Sequence, residues 1–136
     1  MAAKGALTEG ALKVIRVALL TGVLGFGIVV WYILRTAAPE PLDERAARSM
    51  RIAFLAVVVL DLPLLFVLRR AHARAAGYAS AARLSIVGWT QGEGVALFGA
   101  VLYLLTGRLS LYGLGVLVLL TAFVLVPVPP ERTPQP

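Results

Sequence analysis

The sequence predicts an all-α integral membrane protein, a bundle of four transmembrane helices with both chain termini on the cytoplasmic side. Of its 136 residues, 60% are hydrophobic, whereas soluble domains contain roughly 45–50% apolar residues. Four apolar segments are each about long enough to cross a hydrocarbon core of ~30 Å as a helix. Lys and Arg are concentrated in connections that fall on one side of such a bundle. We expect one transmembrane domain with spans at residues 14–35, 52–69, 84–105 and 109–126.

The first span follows a residue that favours helix initiation. Thr8 can cap a helix that begins near Glu9. The apolar segment ends in the aromatic pair Trp31 and Tyr32 and has no small-residue cleavage site after it, so we interpret it as a retained span rather than a signal peptide. Its small residues Gly22 and Gly25 would let another helix approach closely.

The second span contains an acid and a proline close together. Asp61 is followed by Pro63, which lacks a backbone N–H and leaves the carbonyl one turn earlier without its helical donor. This pattern predicts a kink beside the acid. Asp61 therefore has either a structural role, in which it interacts with backbone freed by the kink, or a role in ion binding.

The connection after the second span indicates the topology. Residues 69–83 carry Arg69, Arg70, Arg74 and Arg83 with one histidine, His72, and no acid. Basic residues accumulate in cytoplasmic loops and beside anionic lipid. The net charge of +6 is then explained by membrane topology, and membrane lipid rather than nucleic acid is the expected partner.

The third span, LSIVGWTQGEGVALFGAVLYLL, carries Gln91 and Glu93 near its middle. Insertion of an acidic residue at mid-membrane costs about 2.5–3.5 kcal/mol, so such residues normally face other helices or a wet cavity. Three roles are open for Glu93: a structural hydrogen bond, binding of a proton or cation together with Asp61 and Gln91, or contact with a partner subunit. Small residues recur every four positions on this span and predict a close helix–helix contact; they are Gly88, Gly92, Ala96 and Ala100.

Asp61 and Glu93 lie at similar depth in this topology. They are about 10 and 13 Å from the inner ends of their spans, at a rise of ~1.5 Å per residue. If the two helices met on those faces, the two acids would share a proton.

The third and fourth spans are joined by the short turn Thr106, Gly107 and Arg108, which predicts an antiparallel pair. Tyr103 and Tyr112 flank this turn, where we expect them at the membrane interface. The proline-rich tail, residues 127–136, is expected to be extended.

Several kinds of chemistry lack the residues they need. The chain has no cysteine and one histidine, so the sequence offers no thiolate site and no histidine-built metal site. No glycine-rich phosphate loop is present, and no serine is accompanied by a plausible histidine partner. We expect neither enzyme activity nor a cofactor.

The segment from Arg83 to Gly107 resembles the carboxylate-bearing helix of ATP synthase c subunits. The likeness lies in Gly92–Glu93–Gly94 followed by Ala96–Leu97–Phe98–Gly99, and it implies that Glu93 binds a transported proton or sodium ion. A longer stretch, Tyr78 to Thr133, is similar to small uncharacterised four-span proteins of bacterial inner membranes, which implies four spans and a single module.

Two functions are therefore expected from different classes. The first is a non-enzymatic structural or accessory subunit of a bacterial inner membrane that packs through glycine-rich helix faces, as a homo-oligomer or within a larger membrane complex. The alternative is proton or cation translocation or binding through Glu93. Replacement of Glu93 by glutamine would separate them, because it removes ion binding in one case and assembly in the other.

Overall fold

The computed structural model describes residues 7–37, 39–40 and 42–130. These residues form four α-helices: α1 (Glu9–Thr36), α2 (Glu44–Ala73), α3 (Tyr78–Thr106) and α4 (Leu109–Leu125). No strand occurs in these ranges. The all-helical, four-helix prediction is confirmed. Most of the predicted tail, residues 131–136, lies outside the described residues, and residues 127–130 continue from α4 without helical structure.

The helices are longer than the apolar segments that predicted them. α2 begins at Glu44, eight residues before the apolar segment at 52–69. The basic connection predicted at 69–83 is mostly helical, because α2 continues to Ala73 and α3 begins at Tyr78. Arginine and alanine, which dominate these extensions, favour the helix nearly as well as leucine does. Hydropathy therefore located the apolar segments and missed the polar helical turns beyond them.

The predicted helix start and the predicted turn are both present. The Thr8 hydroxyl oxygen accepts a hydrogen bond from the Ala11 amide at 3.1 Å, and α1 begins at Glu9. α3 ends at Gly107, whose φ of 68° lies in the left-handed region. Glycine adopts this conformation without a Cβ clash, and it is the usual residue after a helix C-terminus. The chain then reverses within two residues, so α3 and α4 form an antiparallel hairpin.

The α3–α4 hairpin lies between the other two helices. α3 contacts α1, α2 and α4, whereas α1 and α2 do not contact each other within the described ranges. One buried cluster joins α1 to the hairpin and includes Leu12, Val23 and Trp89. A second cluster joins α2 to the other side of the hairpin and includes Phe54, Leu65 and Leu102.

Glycine allows the close approach of α3 and α4. A Cβ placed on Gly99 would lie 2.6 Å from the Leu111 carbonyl oxygen, and one on Gly115 would lie 2.7 Å from the Cα of Ala96. The two backbones are thus in direct contact, as in close membrane helix pairs. This contact requires glycine at both positions.

The outer surfaces of α1 and α2 are strongly apolar. Of the exposed large apolar side chains, eight lie on α1 and nine on α2. Both helices are long and apolar enough to cross a membrane. α4 is also apolar but has 17 residues. A soluble protein rarely leaves contiguous apolar surface of this extent in water.

Candidate functional site: the buried carboxyl of Asp61

Asp61 lies in the middle of the stripe through which α2 packs on the hairpin. The buried residues of α2 are Phe54, Val58, Asp61 and Leu65, which recur every three or four positions and so share one face. Asp61 is 4% exposed. The helical period therefore aims the only charged side chain of residues 52–68 into a helix interface.

The side-chain amide of Gln91, on α3, is the hydrogen-bond partner of the Asp61 carboxyl. Both side chains line a cavity of about 320 Å³ that is otherwise apolar and includes Gly94 and Val95. The Oδ2 atom of Asp61 is buried and has no hydrogen-bond partner. Buried polar atoms are nearly always satisfied in proteins, so an orphaned carboxyl oxygen marks a point of functional interest.

Glu93 lies away from this cavity. It is half-buried and is one helical turn from Trp89 and Leu97, which belong to the cluster that joins α3 to α1 and α4. Gln91 is two positions earlier, which on a helix means a rotation of about 200°. The sequence left open whether Asp61 and Glu93 touch. In the structure Asp61 packs on the side of α3 that carries Gln91, and Glu93 is on the other side. Sequence depth placed them at one level but carried no information about helix rotation.

The small residues of the α3 stripe are packed against other parts of the same protein. A Cβ on Gly92 would lie 3.0 Å from the Cα of Leu119, and one on Gly88 would lie 3.3 Å from Val126. Ala96 and Ala100 are also fully buried. The stripe thus packs largely against α4, and it offers no surface to a second protein.

The glycines of α1 behave differently. Gly22 and Gly25 are exposed, and nothing lies within 4 Å of the place where a Cβ would stand on either. Gly27, in contrast, faces the hydroxyl group of Tyr112. That hydroxyl donates to the Val23 carbonyl at 3.0 Å, so Tyr112 joins the hairpin to α1.

A hydrogen-bonded group fixes the segment that follows α4. The Trp89 indole N–H donates to the Val126 carbonyl at 2.7 Å, and the Ser85 hydroxyl donates to the Pro127 carbonyl at 2.9 Å. Sequence reasoning missed this connection. The available signal was the four-residue spacing of two donor side chains, Ser85 and Trp89, which places both on one face of α3.

His72 lies beside the same segment, beyond the apolar part of α2. Burial lowers the pKa of His72 below its ordinary value of 6.5, and a hydrogen bond to the Pro127 carbonyl opposes this shift. The ring atom Nε2 is buried without a partner. His72 also lines a cavity of about 380 Å³ with Tyr78, Pro129 and Pro130. It is therefore a partly enclosed residue at the end of α2.

Within the part of the chain that the structure describes, no group of three or more His, Cys, Asp or Glu side chains is positioned to hold a metal ion. Comparison with protein-family models, with curated proteins and with solved structures finds no match for this chain.

Proposed function

We propose that this chain is a non-enzymatic, multi-pass protein of a bacterial inner membrane that serves as a structural or accessory subunit. In this proposal it associates with a second copy of itself through the outward face of α1. The observation that carries the proposal is the pair of exposed glycines on that face, Gly22 and Gly25. The glycines between the helices of the protein are instead packed against its own side chains or backbone, namely Gly27, Gly88, Gly92, Gly99 and Gly115.

The apolar exterior supports membrane placement. The apolar windows of α1 and α2 are only 17% and 28% buried, which is the reverse of the pattern in a soluble core helix. Lipid provides the natural solvent for such a surface. Arg69, Arg70 and Arg74 at the end of α2 support an arrangement with both termini on the cytoplasmic side.

The outward face of α1 has the composition of a membrane helix interface. Ala18, Thr21, Gly22 and Gly25 lie within about 100° of one another on the helix, and Ala18 and Gly22 have the small-xxx-small spacing. All four are exposed, and Ala18 and Thr21 line a surface groove. Close backbone approach gains dispersion contacts that lipid chains cannot supply as well.

Oligomeric state in lipid tests this proposal. The full chain, labelled with two fluorophores and reconstituted into liposomes, should show energy transfer between copies. The apparent association constant derived from it should fall at least about tenfold when Gly22→Ile and Gly25→Ile are combined, because both substitutions block backbone contact. Gly113→Ile is the matched control, because Gly113 is also exposed with open space around it but lies on α4. A chain that is monomeric at every lipid ratio, or whose association the α1 variant leaves intact, would overturn the proposal.

Binding or translocation of a proton or cation through Glu93 remains a prediction. Glu93 forms no hydrogen bond or ion pair within the described ranges, so no contact defines a binding site around it.

A further inference from the structure

We propose that Asp61, oriented by Gln91, is a reversible proton-binding site that opens on the groove between α2 and α3. This inference shares the membrane placement proposed above but does not depend on self-association through α1. Two features carry it: Asp61 is more than nine-tenths buried with one carboxyl oxygen unpartnered, and the residue lines a cavity.

Within the described ranges, Asp61 forms no ion pair with a basic side chain. α2 has no other charged residue between Arg51 and Arg69, and each of these is eight or more residues from Asp61 along the helix. The elements that pack on α2 are α3 and α4. α3 contributes Glu93 on its far side and Arg83, which is eight residues before Gln91, or about 12 Å along the helix. α4 contains no charged residue, and its one titratable group is Tyr112 in its first turn. His72 is eleven positions along α2, or about 16 Å away.

A proton satisfies this site better than a metal ion does. An ionised carboxylate with a single hydrogen bond in an apolar cavity is strongly disfavoured, whereas the protonated form replaces the charge by one O–H donor. Ca²⁺ and Mg²⁺ require about six or more oxygen ligands. The cavity provides side-chain oxygens from Asp61 and Gln91, and its other lining side chains are apolar.

The groove gives small molecules access to the carboxyl. The cavity is bordered by the exposed side chains of Leu60 and Leu64. Gly94 forms part of its wall, and nothing lies within 4 Å of the place where a Cβ would stand on it. A lipid-soluble reagent can therefore approach along the membrane plane as far as the cavity that Asp61 lines.

The test is covalent labelling of the full chain in liposomes with a hydrophobic carbodiimide, which reacts with protonated carboxyl groups in apolar surroundings. Mass spectrometry of peptides would identify the modified residue over a pH series with and without sodium. We expect labelling at Asp61 near neutral pH, at least about tenfold above that at Glu93, with loss at alkaline pH and no protection by sodium. Labelling confined to Glu93 would overturn the proposal, and protection by sodium would overturn the assignment to a proton.

Two matched variants keep the result interpretable. Glu93→Gln leaves the groove unchanged and should retain the labelling, whereas Gly94→Leu fills the groove and should reduce the labelling several-fold without altering the carboxyl itself.

A second readout needs no reagent: the infrared carbonyl band of a protonated carboxylic acid should persist in Glu93→Gln and disappear in Asp61→Asn. Absence of that band in Glu93→Gln near neutral pH would overturn the proposal. Because labelling is independent of oligomeric state, a monomeric chain that labels at Asp61 would refute self-association alone.

Discussion

Trp89 holds the end of α4 against α3 through its indole N–H, which donates to the carbonyl of Val126 at 2.7 Å in a fully buried setting. Phe123, one turn earlier on α4, meets the indole edge-on with ring centroids 5.8 Å apart. The guanidinium of Arg16, on α1, lies 4.7 Å from the centre of the Phe123 ring. Three helices therefore converge on one aromatic pair at this end of the molecule.

Replacement of Trp89 by phenylalanine should destabilise the protein through this contact. The Val126 carbonyl would lose its donor in a buried site, which costs about 1–3 kcal/mol, in addition to the smaller ring volume. The free energy of unfolding in mixed micelles would measure the change. Trp31→Phe is the control, because Trp31 is exposed, and an equal loss in both variants would contradict the role given to the indole N–H.

Gly115→Ala should weaken the α3–α4 hairpin. The added methyl group would lie 2.9 Å from the Val95 carbonyl oxygen and still closer to the backbone of Ala96, so the helices would have to separate, at a cost of about 1–3 kcal/mol. Gly113→Ala, two residues earlier in open space, should be neutral or stabilising by up to about 1 kcal/mol, because alanine favours the helix. Thermal unfolding of both variants compares them directly, and similar losses would show that the backbone contact is not tight.

Tyr112→Phe should cost about 0.5–1.5 kcal/mol, because it removes the hydrogen bond from the Tyr112 hydroxyl to the Val23 carbonyl and weakens the contact of α1 with the hairpin. Tyr103 stacks on Tyr112 with ring centroids 6.3 Å apart, and its hydroxyl forms no hydrogen bond within the described ranges. Tyr103→Phe therefore keeps the stack and serves as the control. Hydrogen exchange of the α1 amides should rise in the first variant and stay unchanged in the second.

Acidification should loosen the segment after α4 through His72. Because burial lowers the pKa of this residue in the folded protein, the unfolded chain binds the proton first as pH falls through about 6.5. The stabilisation is thus complete above this pH and is lost as the pH falls towards the folded pKa. Unfolding free energies at about pH 7.5 and about pH 5.5 should differ more in the wild type than in His72→Gln. An equal pH dependence in the two proteins would refute the contribution of His72.

The sequence was sufficient to predict the helices, because each contains a long apolar segment and their ends carry clear signals at Thr8 and Gly107. It was insufficient to predict which faces meet. Depth put Asp61 and Glu93 at a similar level and left open whether they touch, and the rotation of α3 presents Gln91 to Asp61. Helix rotation depends on the fit of Gly92, Gly99 and Gly115 against neighbouring backbone, and a small-residue pattern on one helix does not identify which helix will fill it.

The sequence was likewise insufficient to predict which glycine-rich helix face is already filled by the protein itself. Spacing alone made Gly22 and Gly88 equivalent candidates for contact with another protein. The structure fills the position above Gly88 with Val126 and leaves Gly22 open, a distinction that depends on where the chain goes after Leu125. The hydrogen bonds of Trp89 and Ser85 could not be predicted from the sequence either, because their acceptors are backbone carbonyls about forty residues away along the chain.

The separation of α1 from α2 has a consequence for how the chain is made. Until Tyr78 and the residues after it leave the ribosome, the first two helices have no surface of this protein to pack against, since neither contacts the other. Within the described ranges, α1 and α2 therefore form tertiary contacts only with the α3–α4 hairpin, and these contacts can form only after the hairpin has been synthesised. A nascent chain arrested before α3 would leave the packing faces of both helices uncovered and would be the species most exposed to quality-control proteases.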